Sequence, residues 1–169
     1  MISLFNLNNN VSAEVAYDFK FKSIDGNELD LANYKNKVLV VVNVASRCGF
    51  TGQYNDLQNI WENYKDKNLV VLGVPTNNFK QEPGTNKEIK DFCKTNFNIN
   101  FPMTEKINVI GKNAHPFFKW AKNDYGKKAV PKWNFHKIII GKNGKIVDTF
   151  SSITRPSSKK FISKIESLI

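Results

Sequence analysis

Cysteine, histidine and arginine are all scarce in this chain. Two cysteines, Cys48 and Cys93, stand far apart, and two histidines, His115 and His136, complete a thin supply of soft metal ligands. No C-x-x-C or H-x-x-x-H spacing occurs, so neither a zinc site nor any other resident metal is expected. Two cysteines also make a poor disulfide scaffold for 169 residues. Arginine occurs only at Arg47 and Arg155, which argues against bidentate readout of phosphates or bases. Long apolar runs are missing too. The strongest, Val38 to Val42, stops at Asn43, far short of the roughly 18 residues of a membrane span, so no stable membrane insertion is expected. The first ten residues, MISLFNLNNN, lack the basic start and extended apolar stretch of a signal peptide. Residues 1–14 read as a flexible leader, and a cytoplasmic or organellar location is expected, with any targeting segment lying further upstream.

What is present is ordinary for a globular domain: 41% hydrophobic and 24% charged residues, in a length that suits one core. The net charge of +10 admits two readings. One is an acidic partner or polyanion; the other is lysine spread over solvated faces. The lysines are scattered and no cluster of five or more basic residues occurs, which favours the second reading and no nucleic-acid partner.

Tyr17 to Lys22 and Asn27 to Leu31, joined by Asp25-Gly26, predict a small hairpin. Lys37 to Val44 and Asn68 to Pro75 are β-branched runs of the kind buried on both faces of a sheet. Between them Tyr54, Leu57, Ile60, Trp61 and Tyr64 mark one face of a helix to about Lys65, with Thr51 as its N-cap. A polar loop, Thr76 to Gly84, precedes a helix capped by Thr85 or Asn86 and running to about Asn96, with Ile89, Phe92 and Cys93 inward. Phe101 to Met103 is a short extended piece, and Pro116 suits the first turn of a helix to about Lys122. A second hairpin pairs His136–Ile140 with Ile146–Phe150. A last helix from Ser157 or Ser158 to about Leu168 turns Phe161, Ile165 and Leu168 inward. No repeat or linker interrupts residues 15–169, which read as a single α/β domain with parallel strands in its first strand–helix–strand unit.

Cys48 closes a buried strand just before a helix N-terminus. A thiolate there would face free backbone N–H groups and the positive end of the helix dipole, with Arg47 adding charge if it turned inward. Position alone leaves this reading level with that of a small buried hydrophobe.

The nine residues Asn43-Val44-Ala45-Ser46-Arg47-Cys48-Gly49-Phe50-Thr51 resemble the signature of the glutathione peroxidase family, in its cysteine rather than selenocysteine form. Three further blocks follow in the same order: Pro75-Thr76-Asn77-Asn78-Phe79, Gln81-Glu82-Pro83-Gly84-Thr85-Asn86, and Lys132-Trp133-Asn134-Phe135. With Tyr17-Asp18-Phe19 and Asp25-Gly26 the resemblance spans about residues 15 to 168. It implies a thioredoxin-like fold, with a central mixed β-sheet flanked by helices and an N-terminal β-hairpin. It also implies that Cys48 attacks peroxide among Gln81, Trp133 and Asn134. Neutral amide and indole donors suit that task, because they stabilise a sulfur anion without forming an ion pair that would quench it. Taken without the resemblance, Gln81 is a turn residue, Trp133 a core aromatic and Asn134 a hairpin cap.

By the same resemblance Cys93 is the resolving cysteine, condensing with oxidised Cys48 to a Cys48–Cys93 disulfide that a thioredoxin-type reductant recycles. The alternative is a cysteine that only packs beside Phe92 and Ile89. Thr76 stands where many cysteine-type relatives carry an additional cysteine. The segment between Trp120 and Trp133 is short where tetrameric relatives carry an assembly loop, which implies a monomer with a site open to lipid hydroperoxides. The basic glutathione pocket of classical members is not recognisable, so glutathione is expected to be a poorer donor. No cofactor is required. A thiol redox relay would use the same sulfur. A thiol–disulfide oxidoreductase would need a second cysteine where Thr51 stands. His115 and His136 match no family position and read as structural.

Overall fold

The structure, a computed structural model, describes residues 13–169. Most of the expected leader, residues 1–12, lies outside these described residues. At its end the Glu14 and Val15 N–H groups both donate to the Asp18 carboxylate, at 3.0 and 3.1 Å. That local bonding winds Ala16–Asp18 into a 3-10 turn, so the strand expected from Tyr17 starts only at Lys20.

Strands β1 (Lys20–Lys22) and β2 (Glu28–Asp30) form the expected antiparallel hairpin around Gly26, whose φ of 87° suits glycine. The core sheet comprises β3 (Val38–Val44), β4 (Leu69–Pro75), β5 (Lys137–Ile140) and β6 (Ile146–Phe150), in the order β4-β3-β5-β6. Helix α1 (Gln53–Tyr64) links β3 to β4, which run parallel in register from Val38–Leu69 to Val44–Pro75. β5 pairs antiparallel with both β3 and β6, which makes the sheet mixed. The remaining helices are α2 (Asn86–Phe97), α3 (Pro116–Tyr125) and α4 (Lys159–Leu168).

Alternation along the central strand sorts the core into two layers. Leu39 and Val41 face one side, where they join Val70, Leu72, Phe117, Phe118 and the hairpin residues Phe21 and Leu29. Val38, Val40, Val42 and Val44 face the other, with Tyr54, Leu57, Ile89, Cys93, Phe161 and Ile165. The period-two geometry of a strand permits this only where both sheet faces are covered. Two glycines mark close approaches. A Cβ on Gly144 would stand 2.8 Å from Tyr17 and Val15, and one on Gly73 would stand 3.0 Å from Phe101. The second lets the 101–103 segment run close alongside β4, where Gly73 forms a parallel bridge with Met103.

Helix ends mostly follow the caps legible in the sequence. Thr85 accepts the Glu88 N–H and Ser158 the Phe161 N–H. α3 runs past the expected Lys122 to Tyr125, where Gly126 ends it. Leu168 is only half-buried, whereas Phe161 and Ile165 are fully inward.

Candidate active site

Cys48 sits in a turn at the C-terminal end of β3, and its side chain is half-buried. Thr51 shapes that turn rather than capping α1, whose N-cap is Gly52. The Thr51 hydroxyl accepts the Cys48 N–H at 2.9 Å and donates to the Ala45 carbonyl at 2.9 Å. Its own N–H donates to the Cys48 carbonyl at 3.0 Å. A hydroxyl spent this way cannot reach the first amides of α1, which is why the expected N-cap shifts by one residue. The turn aims the Phe50 N–H at Cys48 Sγ, 3.4 Å away. Arg47 is exposed and does not turn inward. It lines a small cleft with Ser46, Glu82, Glu88, Ile89 and Phe92, on the α2 side of the turn.

The Thr76–Gly84 loop docks on this turn through the Arg47 N–H, which donates to the Gln81 carbonyl at 3.1 Å. Asn134 Nδ2 in turn donates to Gln81 Oε1 at 3.2 Å. Trp133 stacks at a tilt on Phe79, with centroids 5.4 Å apart, and keeps 38% of its surface exposed, so it is not the core aromatic that its chemistry alone suggests. The fold therefore docks Gln81 on the Cys48 turn and bonds Asn134, from a distant segment, to Gln81, while Trp133 packs on Phe79 of the same loop. Asn134 is completely buried, and its Oδ1 has no protein partner.

Asn43, unremarked as a functional position in the sequence, holds the Trp133–Phe135 segment by both its ends. Its side-chain amide donates to the Trp133 carbonyl at 2.9 Å, and its own carbonyl accepts the Phe135 N–H at 2.6 Å. Phe135 has a φ of 63°, an unfavourable conformation for a bulky residue, and Asn43 is what holds it there. The available signal was a buried amide interrupting a strand of valines.

Two other buried polar groups were missed. Glu82 is buried, and its carboxylate accepts the Ser46 hydroxyl at 2.9 Å. Burial raises its pKa against the opposing pull of Ser46, Lys106 and Arg47. Lys137, fully buried on β5, donates to Gln53 Oε1 at 2.7 Å, the Thr154 carbonyl at 2.6 Å and the Ser151 carbonyl at 3.3 Å. Burial pulls its pKa down to about 7, with Asp56 resisting. Three acceptors match the three protons of an ammonium, so the geometry is that of the charged form. Together with the Arg155–Asp56 pair at 3.0 Å, this lysine ties the start of α1, and hence the end of the Cys48 turn, to residues 151–155.

Cys93 lies on the inner side of α2 and is a free thiol, as is Cys48. Burial pushes its pKa up to about 11, despite help from the neighbouring Tyr54 hydroxyl. It lines a different cleft from the one at Arg47, bounded by Ile24, Leu29, Lys94, Phe101 and Met103. Cys48 is not among the residues lining this cleft.

Both histidines are structural. His115 Nδ1 accepts the Phe117 N–H at the start of α3, its Nε2 contacts the Lys20 carbonyl at 2.9 Å, and its ring stacks on Phe21. His136 Nε2 lies 2.9 Å from the Lys128 carbonyl, and its buried Nδ1 has no protein partner. Burial lowers the pKa of both, that of His136 to about 4. Among the described residues no group of three His, Cys, Asp or Glu side chains could hold a metal, and no helix is long and apolar enough to cross a membrane.

Comparison with known proteins supplies the wider setting. A family model described as glutathione peroxidase matches residues 16–122. The chain is 44% identical to the glutathione peroxidase-like peroxiredoxin 2 of Saccharomyces cerevisiae over 147 residues, covering 84% of this chain and 90% of that one. It is 42% identical to the hydroperoxy fatty acid reductase gpx1 of a Synechocystis strain over 149 residues, covering 83% and 88%. Among solved structures it resembles Trgpx in its apo form, with a TM-score of 0.73, 38% identity and coverage of 93% and 96%. A thioredoxin family thiol:disulfide interchange protein from Chlorobium tepidum matches the fold, with a TM-score of 0.67, 16% identity and coverage of 93% and 98%. A family model that matches most of the chain, and relatives above 40% identity over most of its length, place this chain in the glutathione peroxidase family.

Proposed function

We propose that Cys48 is the peroxide-attacking residue of this thiol peroxidase, that Cys93 resolves it, and that a thioredoxin-type dithiol recycles the pair. The observation that carries the reading is the convergence at one end of β3. A half-exposed sulfur there receives a backbone N–H from Phe50, in a turn on which the Gln81 loop docks through the Arg47 N–H, with Asn134 bonded to Gln81. The Cys48 thiolate attacks the terminal oxygen of a hydroperoxide, the O–O bond breaks, and water or an alcohol leaves. Gln81 Nε2 and the Trp133 indole N–H supply neutral donors for the charge that develops on oxygen. Cys48 is left as a sulfenic acid.

Cys93 then attacks that sulfur. A disulfide needs the two Cα atoms within roughly 7 Å. Cys93 fronts its own cleft and is held neutral by burial, so α2 opens to deliver it. That helix is suited to opening. α1 buries six of its residues, but α2, of equal length, buries only Ile89 and Cys93. Elements with little buried surface open at low free-energy cost. The Lys90–Asp25 ion pair that straps α2 to the hairpin is half-exposed on both sides and therefore weak.

The substrates are hydrogen peroxide and organic or lipid hydroperoxides. The half-exposed Trp133 and the short segment before it leave room for a bulky hydroperoxide, and the relative named for hydroperoxy fatty acids supports that class. A monomer is the expected state, for the same reason. Thiol–disulfide exchange of the ordinary thioredoxin kind is disfavoured, because Thr51 stands in the second cysteine position and its hydroxyl is committed to the Cys48 turn.

The test is peroxide consumption with thioredoxin against glutathione as electron donor, in wild type and in two variants. Cys48→Ser abolishes turnover with either donor. Cys93→Ser undergoes one oxidation and then stalls with thioredoxin. Sustained thioredoxin-linked turnover by Cys93→Ser would overturn the resolving role, and activity in Cys48→Ser would overturn the whole assignment.

A further inference from the structure

Tyr54 is fully buried in the first turn of α1. Its ring is wedged between Phe97 of α2, with centroids 5.3 Å apart, and Phe135, edge-on at 5.3 Å. Its hydroxyl is sealed from solvent and has no partner in hydrogen-bonding geometry among the described residues. The polar group beside it is the Cys93 thiol, and sulfur is a weak acceptor. The other buried atoms left without partners, Asn43 Oδ1, Asn134 Oδ1 and His136 Nδ1, belong to β3 and to the residues just before β5. An unsatisfied buried hydroxyl carries its full desolvation cost, whereas the same group in water carries none. The closed position of α2 is what denies water to this hydroxyl.

We infer that the Tyr54 hydroxyl, sealed beneath α2 with only the weakly accepting Cys93 sulfur beside it, biases that helix toward opening and so speeds the attack of Cys93 on oxidised Cys48. The inference rests on the resolving role proposed for Cys93. In the step itself the Cys48 S–O bond breaks and the Cys48–Cys93 S–S bond forms. The sulfenic sulfur is reduced, the Cys93 sulfur is oxidised, and the Cys93 proton leaves with the departing hydroxide as water. Tyr54 exchanges no atom in this reaction. It is a positioning residue, acting on the population of α2 from which Cys93 can reach its target. The ring contributes packing to the closed state and the hydroxyl works against it, which separates the two in a single substitution.

Tyr54→Phe keeps the ring and removes the hydroxyl. After one equivalent of peroxide, stopped-flow fluorescence should show the first oxidation of Cys48 at the wild-type rate. Formation of the Cys48–Cys93 disulfide should slow about tenfold, a factor that corresponds to about 1.4 kcal/mol. Amide exchange in the reduced protein should show residues 86–97 better protected by a similar factor. A hydroxyl that merely stabilised the fold would give the opposite sign, with α2 less protected in the variant. Equal or faster disulfide formation, or equal or lower protection of α2, overturns the inference. If wild type forms no Cys48–Cys93 disulfide, the resolving role falls by itself, and the exchange comparison still decides what the hydroxyl does.

Discussion

Asn134 donates its side-chain amide to Gln81 Oε1 across 3.2 Å, joining two residues that lie 53 positions apart. The bond fixes which end of the glutamine faces outward. With Oε1 occupied, Gln81 Nε2 is the end left to meet an incoming oxygen. Asn134 itself is fully buried, so in the proposed reaction it acts largely through this orientation.

Asn134→Ala should therefore slow the first oxidation of Cys48 by about 10- to 100-fold, the scale of losing one oriented donor. The fold should persist, because Asn43 grips the neighbouring backbone and not the Asn134 side chain. Stopped-flow oxidation alongside urea denaturation checks both parts. A rate within twofold of wild type would show that Gln81 needs no such partner.

Thr51→Val preserves shape and removes the hydroxyl that bridges Cys48 and Ala45. The Cys48 N–H and the Ala45 carbonyl then lose their partner. A stability loss of about 1–3 kcal/mol is expected. The Phe50 N–H should no longer be held toward Sγ, so stopped-flow oxidation of Cys48 by peroxide should slow. An unchanged rate would mean that the turn holds without the hydroxyl.

Acid sensitivity should trace to His136. Its folded-state pKa of about 4 lies below the unfolded value near 6.5, so the unfolded chain takes up the proton first. The stability due to its burial is complete above about pH 6.5 and is lost as the pH falls toward 4. The gap corresponds to about 3 kcal/mol. His115 acts in the same direction, and Glu82, whose pKa burial raises, acts in the opposite one. Urea midpoints between pH 7.5 and 4.5 measure the slope. His136→Gln should flatten it, and an unaltered slope would assign the acid loss to other groups.

Much of this architecture was legible before any coordinates. The valine runs of β3 and β4 had to be buried on both faces, and both are. Three helix starts were announced through short-range hydrogen bonding or fixed backbone angles, at Thr85 or Asn86, at Pro116, and at Ser157 or Ser158, and the structure selects Thr85 and Ser158 as caps. Four blocks in order suggested a site, and among them the fold docks the Gln81 loop on the turn that carries Cys48 and bonds Asn134 to Gln81.

Local patterns are legible because a strand period, a cap or a turn is decided within a few residues. Thr51 escaped that logic: it satisfies an N-cap rule, yet two partners in its own turn claim its hydroxyl first. Lys137 escaped it as well, because a lysine reads as surface until Gln53, Ser151 and Thr154 arrive from separate segments to surround its ammonium. The sequence by itself determined the strands, the helices and the family to which the chain belongs. Only the tertiary structure decided that Cys93 faces Tyr54 and a cleft of its own, because the direction of a helix face depends on what packs against it and not on its own residues.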